Sequence, residues 1–453
     1  MREWKPHKYQ LKAVKFIVER PCAALWLDPG LGKTSASLAA FKVLKNQRMC
    51  RGALVIAPLR VCYSVWPQQI EHWQDFSSLS YQIVHGPDKE QALSKKADIY
   101  IINPEGLDWM FSKLETQKIW PFDFLIVDES TKFKSHSAAR FKLLKKHLAR
   151  FKRRLTLTGS PAPNGVQDIW AQIYLLDAGA SLGRYITHFR DQYFFRTGFG
   201  GYTYTLRPHA DEQIYNAIRH LVLRMEANDY LDLPPLVEND VFVDLPEEAL
   251  IKYRQFEHSF LMTLGDSKVV APSAAVLQGK CIQAASGALY LDDKTWAPLH
   301  NAKLDALEDL LEEMSGKPCL IAYWYHHDLE RLQKKFPNIP YIGSGVSAKK
   351  ALALETAWNQ GDLSAMFVHP ASVSHGLNLQ HVAGSVVIFT LFWDLEAHEQ
   401  LIRRLWRQGQ KERVVVHRLV ARHTVDEDVV KSLMSKDKTQ KKILQAMKDR
   451  TKL

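Results

Sequence analysis

The chain has 453 residues, 46% hydrophobic and 24% charged, which excludes a disordered polypeptide and leaves room for roughly two to three domains with cores of their own. Lys and Arg outnumber Asp and Glu 60 to 49, and the formal charge of +11 favours polyanionic partners without naming one. Five scattered cysteines (Cys22, Cys50, Cys62, Cys281, Cys319) exclude a disulfide framework and a zinc site, and His326, His327, His369, His375 and His381 lack metal-ligand spacing. No apolar leader or membrane-length run is present, so a cytoplasmic protein without membrane contact is expected.

Residues 1–20 read as a helix, with Leu11, Val14 and Phe16-Ile17-Val18 as its apolar stripe and Gln10 as a polar residue at its start. An apolar strand from Ala23 to Leu27 then runs into Asp28-Pro29-Gly30-Leu31-Gly32-Lys33-Thr34, with a helix expected from Lys33. This is the strand–loop–helix context of a phosphate-binding loop, in which glycines let backbone amides close around phosphates at a helix N-terminus. Lys33 would reach the β- and γ-phosphates and the Thr34 hydroxyl would hold Mg²⁺; the strict pattern would have glycine where this chain has Leu27.

Four more apolar runs alternate with helical stretches up to residue 166. Ala53–Ala57 ends at Pro58, Ile99–Ile102 at Asn103-Pro104, Phe124–Val127 at Asp128-Glu129, and Leu155–Leu157 at Thr158-Gly159-Ser160. Such continuous runs argue for a parallel sheet covered on both faces, with ligands at the carboxyl ends of its strands. Asp128 there suits Mg²⁺ held through water, and Glu129 suits polarisation of an attacking water. Between Arg140 and Arg154 a basic run with Leu143, Leu144 and Leu148 reads as one amphipathic helix, its cationic face either solvated or bound to phosphate.

From Gln167 to about Asp240 no strand pattern is seen; a helical insertion with a glycine cluster (Gly198, Gly200, Gly201) is expected, closed by Leu233-Pro234-Pro235. Residues 241–300 read as a linker and second helical segment with a break at Asp292-Asp293, and alternation resumes over 301–453 with strands near 319–323, 365–368, 386–389 and 414–416. The tail is lysine-rich. Gln400, Arg403, Arg404 and Arg407 follow helical spacing after Asp394, a candidate N-cap, and before Gly409, a candidate helix end. Arginines on one helix face require a compensating anion, and a γ-phosphate is one whose transition state arginine fingers stabilise.

Taken in order, these motifs resemble a superfamily 2 nucleic-acid-dependent ATPase, and more narrowly the Swi/Snf family of DNA translocases. Tyr9-Gln10 is similar to the family's adenine-side glutamine motif, Asp28 to Thr34 to its first motif, and Val55 to Leu59 with Trp66 and Trp73 to motif Ia. Asp128-Glu129 resembles motif II, Leu157 to Asn164 motif III, Leu320 to Tyr323 motif IV, Gly376 to Leu379 motif V, and Phe389 to Gln410 the final motif. Leu223-Arg224 followed by Leu233-Pro234-Pro235 resembles the segment after the family's first helical protrusion.

The resemblance implies an α/β fold of two tandem RecA-like parallel-sheet lobes, 1–166 and 301–453, with a helical insertion at 167–240 and a linker at 241–300. It implies ATP and Mg²⁺ in a cleft between lobes, held by Gln10, Gly30, Leu31, Gly32, Lys33, Thr34, Asp128, Gly376, Arg404 and Arg407. Pro58, Leu59, Arg60, Thr158, Gly159, Ser160, Asn378, Trp393 and Gln400 fall on the nucleic-acid or coupling side. Duplex DNA is the expected partner and single-stranded DNA the alternative. The expected protein is a monomeric, minimal motor of a bacterial or phage-infected cell. A strand-separating helicase and a weakly hydrolysing DNA-binding scaffold are the competing readings. Two departures stand out: Ser130-Thr131 replaces the family's Ala-His after Asp128-Glu129, and Ser374-His375 replaces a glycine-rich approach to motif V.

Overall fold

The computed structural model describes residues 1–197, 203–265, 271–291, 295–373, 377–382 and 384–436. Gly376, Ser374-His375, the cluster Gly198, Gly200 and Gly201, Asp292-Asp293 and the lysines beyond Lys436 lie outside the described residues. Two compact units divide the chain, Met1–Leu231 and Asp232–Ser435. Among the described residues, no helix is long and apolar enough to cross a membrane.

The first unit contains α1 (Lys8–Glu19), β1 (Cys22–Leu27), α2 (Lys33–Asn46), β2 (Ala53–Ile56), α3 (Leu59–His72), β3 (Tyr81–Ile83), α4 (Lys89–Ser94), β4 (Ile99–Ile102) and α5 (Leu107–Gln117). It continues with β5 (Phe124–Asp128), α6 (Ala139–His147), β6 (Arg153–Thr158), α7 (Gln167–Asp177), α8 (Ile186–Tyr193), the β7 (Phe194–Thr197) and β8 (Thr203–Leu206) hairpin, α9 (Ala210–Ile218) and β9 (Val222–Met225). Seven strands form one sheet in the order β3-β4-β2-β5-β6-β1-β9. Every pairing in it is parallel.

The strands read as unbroken apolar runs because both sheet faces are covered. Trp26, Ile56, Ile102 and Val127 pack into one core with Met110, Phe111 and Ile173, whereas Leu25, Val55, Ile101 and Ile126 pack into another with Ile17, Phe41 and Trp66. Each fully buried side chain of this size contributes roughly 1.5–3 kcal/mol. All seven strands therefore aim their carboxyl ends the same way, which gathers the loops after β1, β2, β4, β5 and β6 at one edge.

Two sequence expectations are corrected here. The strandless stretch 167–240 holds β7, β8, β9 and the start of β10, and β9 completes the first sheet. It escaped notice because Arg224 interrupts a four-residue run whose side chains are all buried. The basic run is also not one helix: α6 stops at His147, and Arg153 and Arg154 belong to β6. There Arg153 donates from Nη2 to the carbonyls of Ile17, Val18 and Arg20 at 2.8, 2.7 and 2.7 Å. It caps the carboxyl end of α1 and faces no solvent phosphate.

The second unit comprises β10 (Leu236–Val243), α10 (Glu247–Gly265), α11 (Ala271–Ser286), β11 (Ala288–Tyr290), β12 (Trp296–Pro298), α12 (Ala302–Glu313), β13 (Cys319–Ala322), α13 (His326–Lys335) and β14 (Tyr341–Ile342). Then follow α14 (Ala348–Gln360), β15 (Ala365–Val368), α15 (Pro370–Val373), β16 (Ser385–Ile388), α16 (Leu395–Ile402) and β17 (Val414–Ala421). Six strands form a sheet in the order β10-β17-β16-β13-β15-β14, again all parallel. Leu320, Met366 and Val386 face one core and Ile321, Phe367 and Val387 the other. Each unit is thus an α/β layer of the RecA-like kind.

α16 is shorter than its spacing predicts. It ends at Ile402, and residues 403–408 run in turns. The Arg404 carbonyl accepts from Leu379 N at 3.2 Å, outside the helix, while Leu401 and Leu405 stay fully buried. Gln400, Arg403, Arg404 and Arg407 therefore do not share a helix face.

Candidate functional site

At the carboxyl end of β1, Gly30 and Gly32 take φ of +91° and +73°, values that a side chain would strain. Gly32 opens α2, so the amides of the Gly30–Lys33 turn lie at the N-terminus of a 14-residue helix. A Cβ at Gly32 would collide with Gln10 Nε2, which places the α1 glutamine directly on the loop. Gln10 is itself held by accepting from His7 N at 2.9 Å. Lys33 Nζ donates to Leu27 O at 2.7 Å, keeping the ammonium beside the strand end. Leu31 is fully buried, and Thr34 is half-buried in the first turn of α2.

The loop is anchored from the sheet edge. Asp28 accepts from Arg224 Nη1 at 2.8 Å and from Ala227 N at 3.1 Å, and the same arginine nitrogen reaches Trp26 O at 3.0 Å. Both partners are nearly buried. The β9 strand thus fixes where the loop begins.

Two strands from β1, β5 delivers Asp128. It is buried, accepting from Trp66 Nε1 at 3.0 Å and from Glu129 N at 3.1 Å. Burial pushes its pKa up to about 6, the Glu129 charge adds to that, and the Trp66 indole and Lys33 ammonium only partly offset it. Glu129 follows at φ +51°, a left-handed conformation that costs a non-glycine residue on the order of 1 kcal/mol, and stays half-exposed. Between these strands β6 ends in Thr158, whose Oγ1 accepts from Ser160 N at 3.1 Å. A Cβ at Gly159 would lie 3.0 Å from Pro29 Cδ, so this turn rests against the glycine loop. Pro58 caps α3, with Leu59 exposed and Arg60 half-buried at that helix start.

In the second unit, Arg404 donates from Nε to Gln400 O at 3.2 Å and from Nη1 to Leu377 O at 3.3 Å. Asn378 accepts at its carbonyl from Asn359 Nδ2 at 2.7 Å and donates its amide to Glu355 at 2.8 Å. The segment 377–379 and the arginine turn are therefore laced together. Burial lowers the Arg407 pKa, the Glu355 charge opposing it, and its Nε has no hydrogen-bond partner among the described residues. Asp394 caps α16 as expected, accepting from Ala397 N at 3.1 Å. Trp393 packs at the edge of the core, and Gln400 donates to Glu396 at 3.3 Å.

A family model for the SNF2-related domain matches residues 9–283, and one for the helicase conserved C-terminal domain matches residues 302–409. The chain belongs to the SNF2-related family. It is an ATP-hydrolysing, helicase-like enzyme of superfamily 2. This SNF2-related chain is 34% identical over 469 residues to putative protein p41 of Acyrthosiphon pisum secondary endosymbiont phage 1, covering 99% of this chain and 100% of that protein. It is 24% identical to the putative ATP-dependent helicase/translocase YwqA of Bacillus subtilis, covering 97% of this chain and 48% of that protein. The Sulfolobus solfataricus SWI2/SNF2 ATPase core in complex with dsDNA aligns with a TM-score of 0.47 at 20% identity, over 99% of this chain and 95% of that one.

Within the first unit, Gln10, Gly30, Gly32, Lys33, Asp128 and Thr158–Ser160 gather at one sheet edge. Sequence reasoning named Trp66 and Arg224 as motif residues without the carboxylates they hold, Asp128 and Asp28, and missed Gln172, to which Ser130 donates. Gln172 carried a signal of its own, as the one amide among the buried residues of α7, which include Ile169, Trp170, Ile173, Leu175 and Leu176.

Proposed function

We propose that this protein is a DNA-stimulated ATPase that translocates on duplex DNA without separating its strands. The observation that carries the reading is the buried Asp128, kept short of compensating charge beside Lys33 and the Gly30–Gly32 turn. Family membership and the +11 formal charge support nucleic acid as the partner. The resemblance of the final motif to DNA translocases favours duplex.

In this reading the Gly30–Lys33 amides and the Lys33 ammonium bind the phosphates, and Gln10 reads the adenine side. Thr34 and Asp128 would hold Mg²⁺. The residues fit it, since glycine alone leaves the loop open beside Gln10 and Asp128 has a carboxylate in need of positive charge. The ion would supply neutralisation of phosphate charge. Glu129 orients and deprotonates the attacking water, and Arg404 and Arg407 stabilise charge developing on the transferred phosphoryl group. Contacts to DNA run chiefly to phosphates, from the Pro58–Arg60 turn, so turnover depends strongly on salt and little on sequence, whereas the buried Thr158, Gly159 and Ser160 serve coupling. The protein works as a monomer in the cytoplasm.

The test is ATP turnover without nucleic acid and with single-stranded DNA, duplex DNA or RNA, in wild type and Glu129→Gln. Duplex should stimulate most, and the variant should lose on the order of 10²–10⁴-fold. Stimulation by single strands only, or efficient unwinding of a plain duplex, would replace the translocase with a helicase. A wild type that hydrolyses ATP feebly whatever is added would favour the scaffold.

A further inference from the structure

From Ser130 to Gln167 the chain has ten of its 60 Lys and Arg and none of its 49 Asp and Glu, so this stretch carries nearly all of the formal +11. Arg153 and Arg154 belong to β6, and the other cations lie on α6 and the turns that flank it. Lys142, Lys145, Lys146 and Arg150 follow one another along the outer face of α6 and the turn that continues it, opposite the buried Phe141, Leu144 and Leu148. The Lys145 ammonium sits 4.5 Å over the Tyr174 ring and the Arg150 guanidinium 5.2 Å over Trp120, which holds both cations in place without neutralising them. Glu115 stands 3.8 Å from Lys146 and Asp123 3.6 Å from Lys152, and pairs made by such exposed lysines contribute little. Like charges stacked along a helix repel, and a polyanion laid across them relieves that repulsion.

We propose that the outer face of α6 is a second nucleic-acid site, which holds the phosphate backbone of a duplex segment other than the one engaged at the Pro58–Arg60 turn. The proposal rests on the duplex-translocase reading above. α6 follows β5 and leads to the amino end of the parallel strand β6, so it runs away from the carboxyl edge where that turn lies. The two helices also cover opposite faces of the sheet, α6 packing with Trp26 and Ile56, α3 with Leu25 and Val55. Duplex DNA is stiff, with a persistence length of about 50 nm, so a straight segment resting on the carboxyl edge does not also lie along α6. The nine residues of α6 extend about 14 Å, enough for its cations to meet successive backbone phosphates. Such contacts position a duplex without reading its sequence.

The experiment uses the full chain as wild type, Lys142→Gln alone, and the triple variant Lys142→Gln/Lys146→Gln/Arg150→Gln, because glutamine keeps the helix propensity of the residues it replaces. Duplexes per chain are counted by native mass spectrometry with a short DNA duplex. Affinity is followed by fluorescence anisotropy across a salt series, and ATP turnover is measured at saturating duplex. Wild type should hold two duplexes per chain and the triple variant one, its second binding phase weakened at least about tenfold. In Lys142→Gln the slope of log affinity on log salt for that phase should flatten by about 0.9, the share of one phosphate contact. Duplex-stimulated turnover at saturation should stay within about twofold in both. Lys142→Gln carries the test if the triple variant does not fold. One duplex per wild-type chain, bound more weakly by the variants, would make α6 part of the motor's own DNA path. One duplex bound equally by all would make it a solvated face, and two duplexes on the triple variant would put the second site elsewhere. Each of these outcomes overturns the proposal. A wild type that no nucleic acid stimulates would overturn the functional reading and this site with it, whereas a stimulated wild type holding one duplex overturns the second site alone.

Discussion

Two buried carboxylates, Asp128 in the first unit and Asp328 in the second, are treated in opposite ways. Asp328 in the second unit accepts from Ser286 Oγ at 3.1 Å, Thr390 Oγ1 at 2.8 Å and Tyr325 N at 2.9 Å, with His327 Nδ1 3.1 Å away. Burial pushes its pKa up, yet the His327 ring and these donors pull it below the ordinary carboxylate value. Asp128 has an indole and one amide, and its pKa rises to about 6. Burial thus yields a structural anion in one place and a poised one in the other. The difference lies in the number of donors: a carboxylate that the fold fully satisfies holds elements together, whereas one left short is ready for a cation.

Asparagine substitutions should separate the two roles. Asp128→Asn should cut ATP turnover on the order of a thousandfold, since the amide cannot serve as an anionic metal ligand. Its thermal midpoint without Mg²⁺ should hold or rise, because an undercompensated buried charge is gone. Asp328→Asn should do the reverse. Both of its oxygens accept from donors, so an NH₂ group in either orientation meets a donor, and the loss should be about 3–5 kcal/mol in a denaturant melt.

The pH dependence should diverge with the same logic. A folded pKa above the unfolded value means that Asp128 favours the native state below about 4 and withdraws that support as pH rises through about 6, by roughly 3 kcal/mol. The depressed Asp328 supports the native state at neutral pH and loses that support on acidification. Melts of both variants without Mg²⁺, from acid to neutral pH, check the two signs. If Asp128→Asn left the neutral-side loss intact, the contrast between the carboxylates would collapse.

What the sequence made legible follows from the same physics. β2, β4 and β5 were visible as runs because both faces of the sheet are buried, and the phosphate loop was visible because Gly30 and Gly32 need positive φ. Short edge strands such as Tyr81–Ile83, half-buried throughout, lacked that signature. β10 was seen only in part because Glu238, Asn239 and Asp240 sit mid-strand, two of them on Arg418 across the sheet edge at 2.9 and 2.6 Å. The arginine segment misled because helical spacing fits residues 400–407, while the competing bond from Leu379 N to Arg404 O is tertiary. Trp66 and Arg224 were noticed as motif residues, but what they hold depends on strand order. Adjacency of β9 to β1 leaves no trace in local pattern.

Trp66 offers the finest test of the comparison, because it tunes the poised carboxylate without being a ligand. The indole is fully buried and belongs to α3, the helix that starts at Pro58 and Leu59. Its bond to Asp128 Oδ2 orients the carboxyl group and favours its charged form. Trp66→Phe should raise the Mg²⁺ concentration for half-maximal turnover about tenfold, the low end of what removing an outer-shell partner costs. The loss should grow as pH falls, since a proton then competes better for Asp128, and the acid limb of the turnover profile should move to higher pH. A smaller ring also lowers the melting point, but packing alone does not move a pH limb. If melting falls while Mg²⁺ half-saturation and the acid limb stay at wild-type values, Trp66 serves the core only, and the poise of Asp128 comes from burial and Glu129 without it.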